Sequence, residues 1–359
     1  MSGKRERILW VDAARCLAIL CVVLCHATER IYSFDVDFMA EISTLSNVFA
    51  FLCFSVGRLG VPLFLFISGY LLMGREYDTK DCFRFWKRNL LPLLVTTEIW
   101  IVLYNIFCAW YYDTPFSVAE LLSNMLLFEN VNLSHFWYMP MILSVYLFLP
   151  LLSNTLQMFD KKVWNALLGV SFVYLCVVPL LNVWLGATTG ESLSSSVNFQ
   201  FLGGYYGLYL ILGSYVRRGD FDRVKTWVLW IVGILSFSAV VGIQLLALHY
   251  NYKYKVWYNS AFLMIGALCL FLIVSRVHRF PFLNGIQSLS RHSFAIYLIH
   301  TPVRLLVAKC ADIDSVALAR PVKVALLFVI SLFISWAAGA LLSRIPKIGG
   351  VLTLERANR

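Results

Sequence analysis

The chain alternates between long apolar runs and short polar or charged segments, a pattern that predicts an all-α, multi-pass membrane protein. A run of about 20 apolar residues is long enough to cross a ~30 Å hydrocarbon core as a helix. We count about ten such runs and no long polar stretch between them, so we predict one membrane-embedded domain over residues 1–359. The predicted spans are residues 8–27, 47–73, 90–112, 136–154, 163–185, 200–216, 226–248, 256–275, 293–311 and 321–343.

Small residues mark two of the predicted spans. The short run 200–216 contains Gly203, Gly204, Gly207 and Gly213, which would permit either close helix approach or a break in the helix. In the second span, Ser68 and Gly69 are predicted to kink the helix or to pack closely against a neighbour.

The lysines and arginines, 30 in all, predict the orientation. With the N-terminus inside, most of them fall in the inner segments, including Lys4, Arg5, Arg356 and Arg359 near the termini. The outer loops hold Arg30, Lys253, Lys255, Lys309, Arg320 and Lys323. Because cytoplasmic loops are enriched in such cations, we predict that both termini are cytoplasmic. The net charge of +10 then reflects topology rather than nucleic-acid binding.

Composition agrees with a membrane protein and offers no metal site. The chain is 60% hydrophobic and 14% charged, whereas soluble domains average about 25% charged residues. The nine cysteines lie mostly inside apolar runs without metal-binding spacing, so we interpret them as small apolar fillers. No HExxH motif or carboxylate cluster is visible, and we predict that no metal is needed.

The first span carries three polar residues, Asp12, Arg15 and His26. A central arginine costs roughly 2.5–3.5 kcal/mol on insertion scales, so such a residue points to function. Arg15 and His26 are about three helical turns apart, which places them on one face with a separation of roughly 16 Å. That face would offer a cation near one leaflet and an imidazole near the other.

Each of these residues has a catalytic and a structural interpretation. A neutral His26 near the outer surface could take a proton from an acceptor hydroxyl, or it could simply bond a neighbouring helix. Arg15 could grip a phosphate, or it could pair with Asp12, which could also orient it toward an anion. Glu98 in the third span is another possible partner of Arg15.

Cations also precede the third span and lie inside the second. Arg84, Lys87 and Arg88 suit the phosphates of a large anionic donor such as a coenzyme A thioester, although positive-inside anchoring explains them as well. Arg58 stands within the second span, where a buried cation could bind substrate or stabilise an oxyanion.

Two further clusters could bind substrate. His135, Trp137 and Tyr138 open the fourth span, where aromatic residues form either an interfacial belt or a sugar-stacking platform. His300 and Arg304 lie one turn apart in the ninth span, and such buried polar residues face protein or a wet cavity. The sequence leaves open whether they form the site or brace it.

Taken together, five motifs resemble the membrane-bound acyltransferase family 3, the O-acyltransferases of bacterial surface polysaccharides. They are D-x-x-R-x10-H in the first span, R-x-x-V-P-L-F from Arg58, ISGYL, HFWYMPMILSVYLFLPLL and SRHSFAIYLIH. The resemblance runs from the first to the tenth span. Within the family, the chain resembles the enterobacterial common antigen O-acetyltransferase branch, whose members lack a fused periplasmic domain.

The resemblance implies a ten-helix fold in the bacterial inner membrane and a cytoplasmic acyl-CoA donor, usually acetyl-CoA, that acylates a glycan hydroxyl. Arg15 and His26 match the family's arginine–histidine motif, and His135 and Trp137 match the motif that opens the fourth span. The family often shows two arginines three residues apart, whereas Arg84 and Arg88 are four apart with Lys87 between them. This departure leaves open which cation has the paired-arginine role.

We therefore expect acetyl transfer from acetyl-CoA to a glycan or lipid-linked saccharide, with His26 as general base or transient acyl carrier. Membrane lipids are the expected surroundings, and the oligomeric state is open. The alternative is a transporter or flippase for a lipid-linked glycan, which would also explain buried cations. Transporters usually show internal repeats, and none is visible in this chain.

Overall fold

The computed structural model describes residues 7–194, 197 and 203–355. The chain is 75% helical, and the described residues contain no strand, which confirms the all-α prediction. The α-helices of the described part are α1 (Leu9–Ile31), α2 (Val36–Glu41), α3 (Thr44–Arg58), α4 (Gly60–Leu72), α5 (Thr79–Phe85), α6 (Leu91–Tyr111), α7 (Val118–Met125), α8 (Tyr138–Met158), α9 (Lys161–Phe172), α10 (Val178–Thr188), α11 (Gly204–Arg217), α12 (Thr226–His249), α13 (Ala261–Ser275), α14 (Leu283–Cys310), α15 (Arg320–Leu342) and α16 (Gly349–Thr353).

Eight helical segments of the described part are long and apolar enough to cross a membrane. They are Leu9–Ile31, Thr44–Leu72, Thr79–Tyr111, Tyr138–Met158, Lys161–Thr188, Thr226–His249, Leu283–Cys310 and Arg320–Leu342. The other two predicted spans, 200–216 and 256–275, contain the shorter helices α11 and α13, of 14 and 15 residues. Residues 200–202, and the terminal cations Lys4, Arg5, Arg356 and Arg359, lie outside the described residues. The cytoplasmic position of both termini stays a prediction.

Prolines account for the irregular turns inside the long segments. Pro62 has no N–H to donate to the carbonyl of Arg58, and the second span is interrupted at Leu59. The break is therefore not at Ser68 or Gly69, where a kink was one of the predicted outcomes, and α4 is continuous through both. Widened π-helical turns at Trp86–Leu90 and Val173–Val177 precede Pro92 and Pro179 in the same way.

By its internal contacts the chain divides into two compact units. The first unit comprises Met1–Gly74, Leu156–Arg291 and Leu318–Ala325, and the second comprises Arg75–Thr155, His292–Ala317 and Leu326–Arg359. In the first unit, α1 packs against α3, α4 and α13, while α11 packs along α4 and α12 along α13. In the second unit, the C-terminal α16 is tied to α6, because Thr96 and Trp100 donate hydrogen bonds to the backbone oxygens of Val351 and Leu352 (2.6 and 3.0 Å).

Glycines allow α4 and α11 to touch backbone to backbone. A methyl group at Gly69 would lie 2.0 Å from the backbone oxygen of Leu210, and one at Gly213 would lie 2.3 Å from that of Phe66. Small residues allow such close approach between helices in a membrane, where van der Waals packing stabilises association. The close-packing prediction for Gly69 is therefore confirmed.

Gly69→Ala is expected to lower the free energy of unfolding by about 1–3 kcal/mol, because the added methyl group meets rigid backbone. Thermal unfolding of the purified protein in detergent would measure the change. The matched control is Gly242→Ala in α12, where an added methyl group has no heavy atom within 4 Å. That variant should be as stable as the wild type or slightly more so, since alanine favours helix. Equal losses in both variants would contradict the close-packing argument.

Candidate functional site

Helix α1 carries both members of the predicted arginine–histidine face. It runs without interruption from Leu9 to Ile31, so the helical spacing between Arg15 and His26 applies as predicted. Arg15 is half-buried, and His26 is buried with 8% of its surface exposed. The helix extends beyond residue 27, where the predicted span ended, and its last turn adds a residue to the site.

That residue is Glu29, which lies two residues beyond the predicted end of the first span. Its carboxylate lies one turn after His26, with Oε2 2.9 Å from His26 Nδ1. The other oxygen, Oε1, accepts from Arg58 Nη2 at 3.2 Å and from Lys255 Nζ at 2.9 Å. The i, i+3 spacing of His26 and Glu29 was visible in the sequence, but it has meaning only once the helix reaches residue 31.

Arg58 lies at the end of α3, next to the break at Leu59, and only 3% of its surface is exposed. Its guanidinium carbon lies 4.6 Å from the ring centre of Phe54 and 4.4 Å from that of Trp257. Nη1 donates to the hydroxyl of Tyr258 at 3.2 Å. Cation–π contacts with these rings and a charged hydrogen bond to Glu29 therefore stabilise the buried Arg58 guanidinium.

The charges of this network do not cancel. Arg58 and Lys255 share the single carboxylate of Glu29, which also contacts the imidazole of His26. Arg58 is buried and Lys255 is exposed, and this surplus of positive charge beside His26 favours an anion or a developing negative charge. We call His26, Glu29, Arg58 and Lys255 the His26 network; all four residues belong to the first unit.

Asp12 has contacts that its predicted roles did not include. One carboxylate oxygen accepts from the hydroxyl of Ser290 at 2.7 Å, and the other accepts from Arg7 Nε. The bond to Ser290 connects the first turn of α1 to the N-terminal part of α14. A role for Asp12 in orienting Arg15 stays a prediction.

In the second unit, two of the predicted histidines come together. The rings of His135 and His300 are 5.0 Å apart, and their exposed fractions are 1% and 0%. Tyr297 donates to the backbone oxygen of His135 at 2.8 Å, and Tyr104 Oη lies 3.4 Å from His135 Nε2. Hydrogen bonds between buried polar groups of this kind make the contact between neighbouring helices more rigid. The role of His135 and His300 in substrate binding stays a prediction.

The remaining candidates also belong to the second unit. Trp137 and Tyr138 are half-buried, and Tyr138 packs against Tyr297 with ring centres 5.4 Å apart. Arg304 is buried on α14, one turn after His300.

The basic cluster before the third span is helical rather than a loop. Arg84 lies in the last turn of α5, and Lys87 and Arg88 lie in the widened turn Trp86–Leu90, so Arg84 and Arg88 are about one turn apart. All three cations are exposed, and Arg84 pairs with Asp81. Exposed cations on adjacent turns can meet a soluble anion, which is what the predicted donor-binding role requires.

Comparison with known proteins gives the family. The sequence pattern of the acyltransferase domain, Acyl_transf_3, matches residues 8–340. A Staphylococcus aureus (strain COL) protein provisionally named O-acetyltransferase SACOL0978 is 26% identical over 84% of this chain and 51% of its own length. SAS0844 of strain MSSA476, which has the same provisional function, is 26% identical over 69% of this chain and 46% of its own.

The chain thus spans about half the length of the curated relatives it matches. No solved structure matches it. The family pattern covers nearly the whole helical region, including α1 and the His26 network. The chain therefore belongs to acyltransferase family 3, as a multi-pass membrane member of that family.

Proposed function

We propose that this chain is a membrane O-acetyltransferase that moves an acetyl group from cytoplasmic acetyl-CoA to a hydroxyl of a surface or lipid-linked glycan. The provisional names of the Staphylococcus aureus relatives support the acetyl group and the oxygen acceptor. The observation that carries the proposal is the contact of His26 with Glu29 beside the buried Arg58. The proposed location is the bacterial cytoplasmic membrane.

The hydrogen bond to Glu29 distinguishes the two ring nitrogens of His26. When Nδ1–H donates to the carboxylate, the neutral imidazole carries its lone pair on Nε2. Nε2 then takes the proton of the acceptor hydroxyl, and Glu29 stabilises the imidazolium that forms. The acceptor oxygen adds to the thioester carbon to form a tetrahedral oxyanion, and the carbonyl is restored when the carbon–sulfur bond breaks. Coenzyme A leaves as a thiolate and takes up the proton, which yields the ester and the free thiol.

Arg58 is proposed as the oxyanion donor. It shares a carboxylate with His26, and its charge is held by rings and hydrogen bonds before any reaction begins. Within the described residues, its buried Nε has no hydrogen-bond acceptor. A reacting carbonyl oxygen would supply that acceptor, and preorganised donors of this kind stabilise tetrahedral intermediates. Arg304, a second buried cation that could take this role, stays an alternative.

The donor is assigned to cations on the predicted cytoplasmic side. The exposure of Arg84, Lys87 and Arg88 supports contact with the phosphates of coenzyme A. Arg15, half-buried on α1, is proposed as a phosphate contact because it matches the family's arginine–histidine motif, and His26 lies about 16 Å farther along the same helix. An extended pantetheine arm would bring the thioester toward the imidazole. The resemblance to the common antigen branch makes an enterobacterial-type surface polysaccharide the first acceptor to try.

The direct test uses the purified chain in proteoliposomes with radiolabelled acetyl-CoA and the surface polysaccharide of the source cells, de-O-acetylated by mild alkali. We expect label to enter the glycan as an alkali-labile ester. Heat-treated protein serves as the control. Transport of glycan across the vesicle membrane with no labelling would overturn the proposal and favour the transporter.

A further inference from the structure

The two short helices of the first unit, α11 and α13, do not reach across a membrane on their own. With 14 and 15 residues, they extend about 21 and about 22 Å, against a hydrocarbon core of ~30 Å. The chain before α13 is irregular from residue 250 to residue 260. Residues 256–260 of the predicted span 256–275 therefore lie outside the helix.

The end of this irregular segment packs against helices of its own unit: Val256, Tyr258 and Ser260 are buried, whereas Lys253 and Lys255 are exposed. Val256 donates its backbone N–H to the side chain of Gln244 at 3.1 Å, and Gln244 in turn donates to Ser55 at 2.9 Å. The backbone oxygen of Tyr258 accepts from the hydroxyl of Tyr209 at 2.8 Å. Side chains of α12 and α11 thus satisfy one N–H and one carbonyl of this non-helical backbone.

Binding residues often lie on irregular segments that rigid helices hold in position. Here the segment reaches the His26 network directly, because Lys255 bonds Glu29 and Tyr258 bonds Arg58. The place where α13 stops short is therefore also the place where the proposed chemistry occurs.

Three half-exposed aromatic residues lie near the starts of the two short helices: Tyr205 and Tyr206 in the first turn of α11, and Trp257 four residues before α13. Trp257 donates its indole N–H to the hydroxyl of Tyr205 at 3.0 Å, and Tyr205 donates to Tyr206 at 3.3 Å. The ring of Trp257 also contacts the guanidinium of Arg58. The polar tips of the three side chains are thus bonded to one another, and the rings are fixed beside the buried arginine.

We propose that Trp257, Tyr205 and Tyr206 form the acceptor subsite, which binds one pyranose ring of the glycan and presents its hydroxyl to His26. The inference rests on the proposed function. Large, rigid aromatic rings give contact area to the C–H face of a sugar, while its hydroxyls stay hydrated or meet nearby polar groups. The adjacent Lys255 favours a polar ligand over a lipid chain, because its ammonium is exposed and a lipid chain would remove its solvent. From sequence, Trp137 and Tyr138 were candidates for either an interfacial belt or a sugar-stacking platform.

The test compares Trp257→Ala and Trp257→Phe in the full chain, with acetyl-CoA and the de-O-acetylated polysaccharide as substrates. Loss of one aromatic contact is expected to raise the acceptor KM about tenfold in the alanine variant, with kcat less affected. Phenylalanine keeps a ring and should restore most of the binding. Trp227→Ala, an exposed position at the start of α12, is the matched control and should behave like the wild type.

A lower kcat with an unchanged acceptor KM would overturn the subsite, since Trp257 would then only position Arg58. Tryptophan fluorescence of the full chain gives a second readout that needs no turnover. Added polysaccharide should change the emission of the wild type and change that of Trp257→Phe much less. A response to short-chain phospholipid but not to polysaccharide would identify a lipid site instead and contradict the proposal. If labelled acetyl never reaches the glycan while the fluorescence response persists, the proposed function fails and the sugar site stands.

Discussion

Replacement of His26 by alanine is expected to reduce acetyl transfer by on the order of 10²–10⁴, the usual contribution of a general base. The reason is that His26 Nε2 is the proposed proton acceptor, with Nδ1 held by Glu29 at 2.9 Å. The measurement is the rate of alkali-labile acetyl incorporation into the polysaccharide at saturating acetyl-CoA. His249→Ala, an exposed histidine at the end of α12, is the matched control and should retain full activity.

Two further measurements separate chemistry from structure at this position. Added imidazole should restore part of the activity of His26→Ala, because a small base can occupy the space left by the side chain. Glu29→Gln should lower the rate in the wild type but have little further effect in the His26→Ala background, since residues that act as one unit are not additive. Full activity of His26→Ala would contradict the base assignment. Acetyl bound covalently to the wild type before acceptor is added, and absent from His26→Ala, would make His26 the acyl carrier.

Arg58→Met is expected to lower kcat by on the order of 10²–10³, the cost of removing one oxyanion donor. The acetyl-CoA KM should change little, because the phosphate contacts are assigned to other residues. The measurement is steady-state kinetics of the purified variant. Arg217→Met is the control: this arginine is exposed and bonds only the backbone oxygens of Tyr70 and Leu71 in the described contacts.

Stability must be measured with the same variants, because breaking a buried ion pair can cost about 3–5 kcal/mol. Arg58→Lys keeps the charge but loses the planar fork, so it should fold and show an intermediate kcat. Combining Arg58→Met with Glu29→Gln removes both charges and should recover stability without recovering activity. An Arg58→Lys variant that folds and retains the wild-type kcat would show that the guanidinium geometry is not needed for the oxyanion.

Several features of the fold follow from local sequence alone. The first span is a helix because its apolar residues outnumber Asp12, Arg15 and His26, and the spacing of Arg15 and His26 fixes their common face. The prolines at 62, 92 and 179 account for the interrupted and widened turns. The short run 200–216 was singled out by its glycines, and Gly213 does lie at a close helix contact.

Other features depended on contacts between segments far apart in the chain. Glu29 lay beyond the predicted end of the first span at residue 27, yet it is in the last turn of α1 and pairs there with Arg58 and Lys255. Trp257 and Tyr258 fell within the predicted span 256–275. Gln244 and Tyr209 instead bond the backbone around them, which makes a non-helical path possible.

The sequence by itself determined the all-α membrane class, most of the spans and the arginine–histidine face of α1, since hydrophobic length and helical period are local properties. The tertiary structure alone decided that His26, Glu29, Arg58 and Lys255 meet, and that the segment before α13 leaves the helical path to reach them. The physical reason is that a buried charge or an irregular backbone is stable in a membrane only when partners from other helices satisfy it. Glu29 and the cations that pair with it, Arg58 and Lys255, come from segments far apart in the sequence.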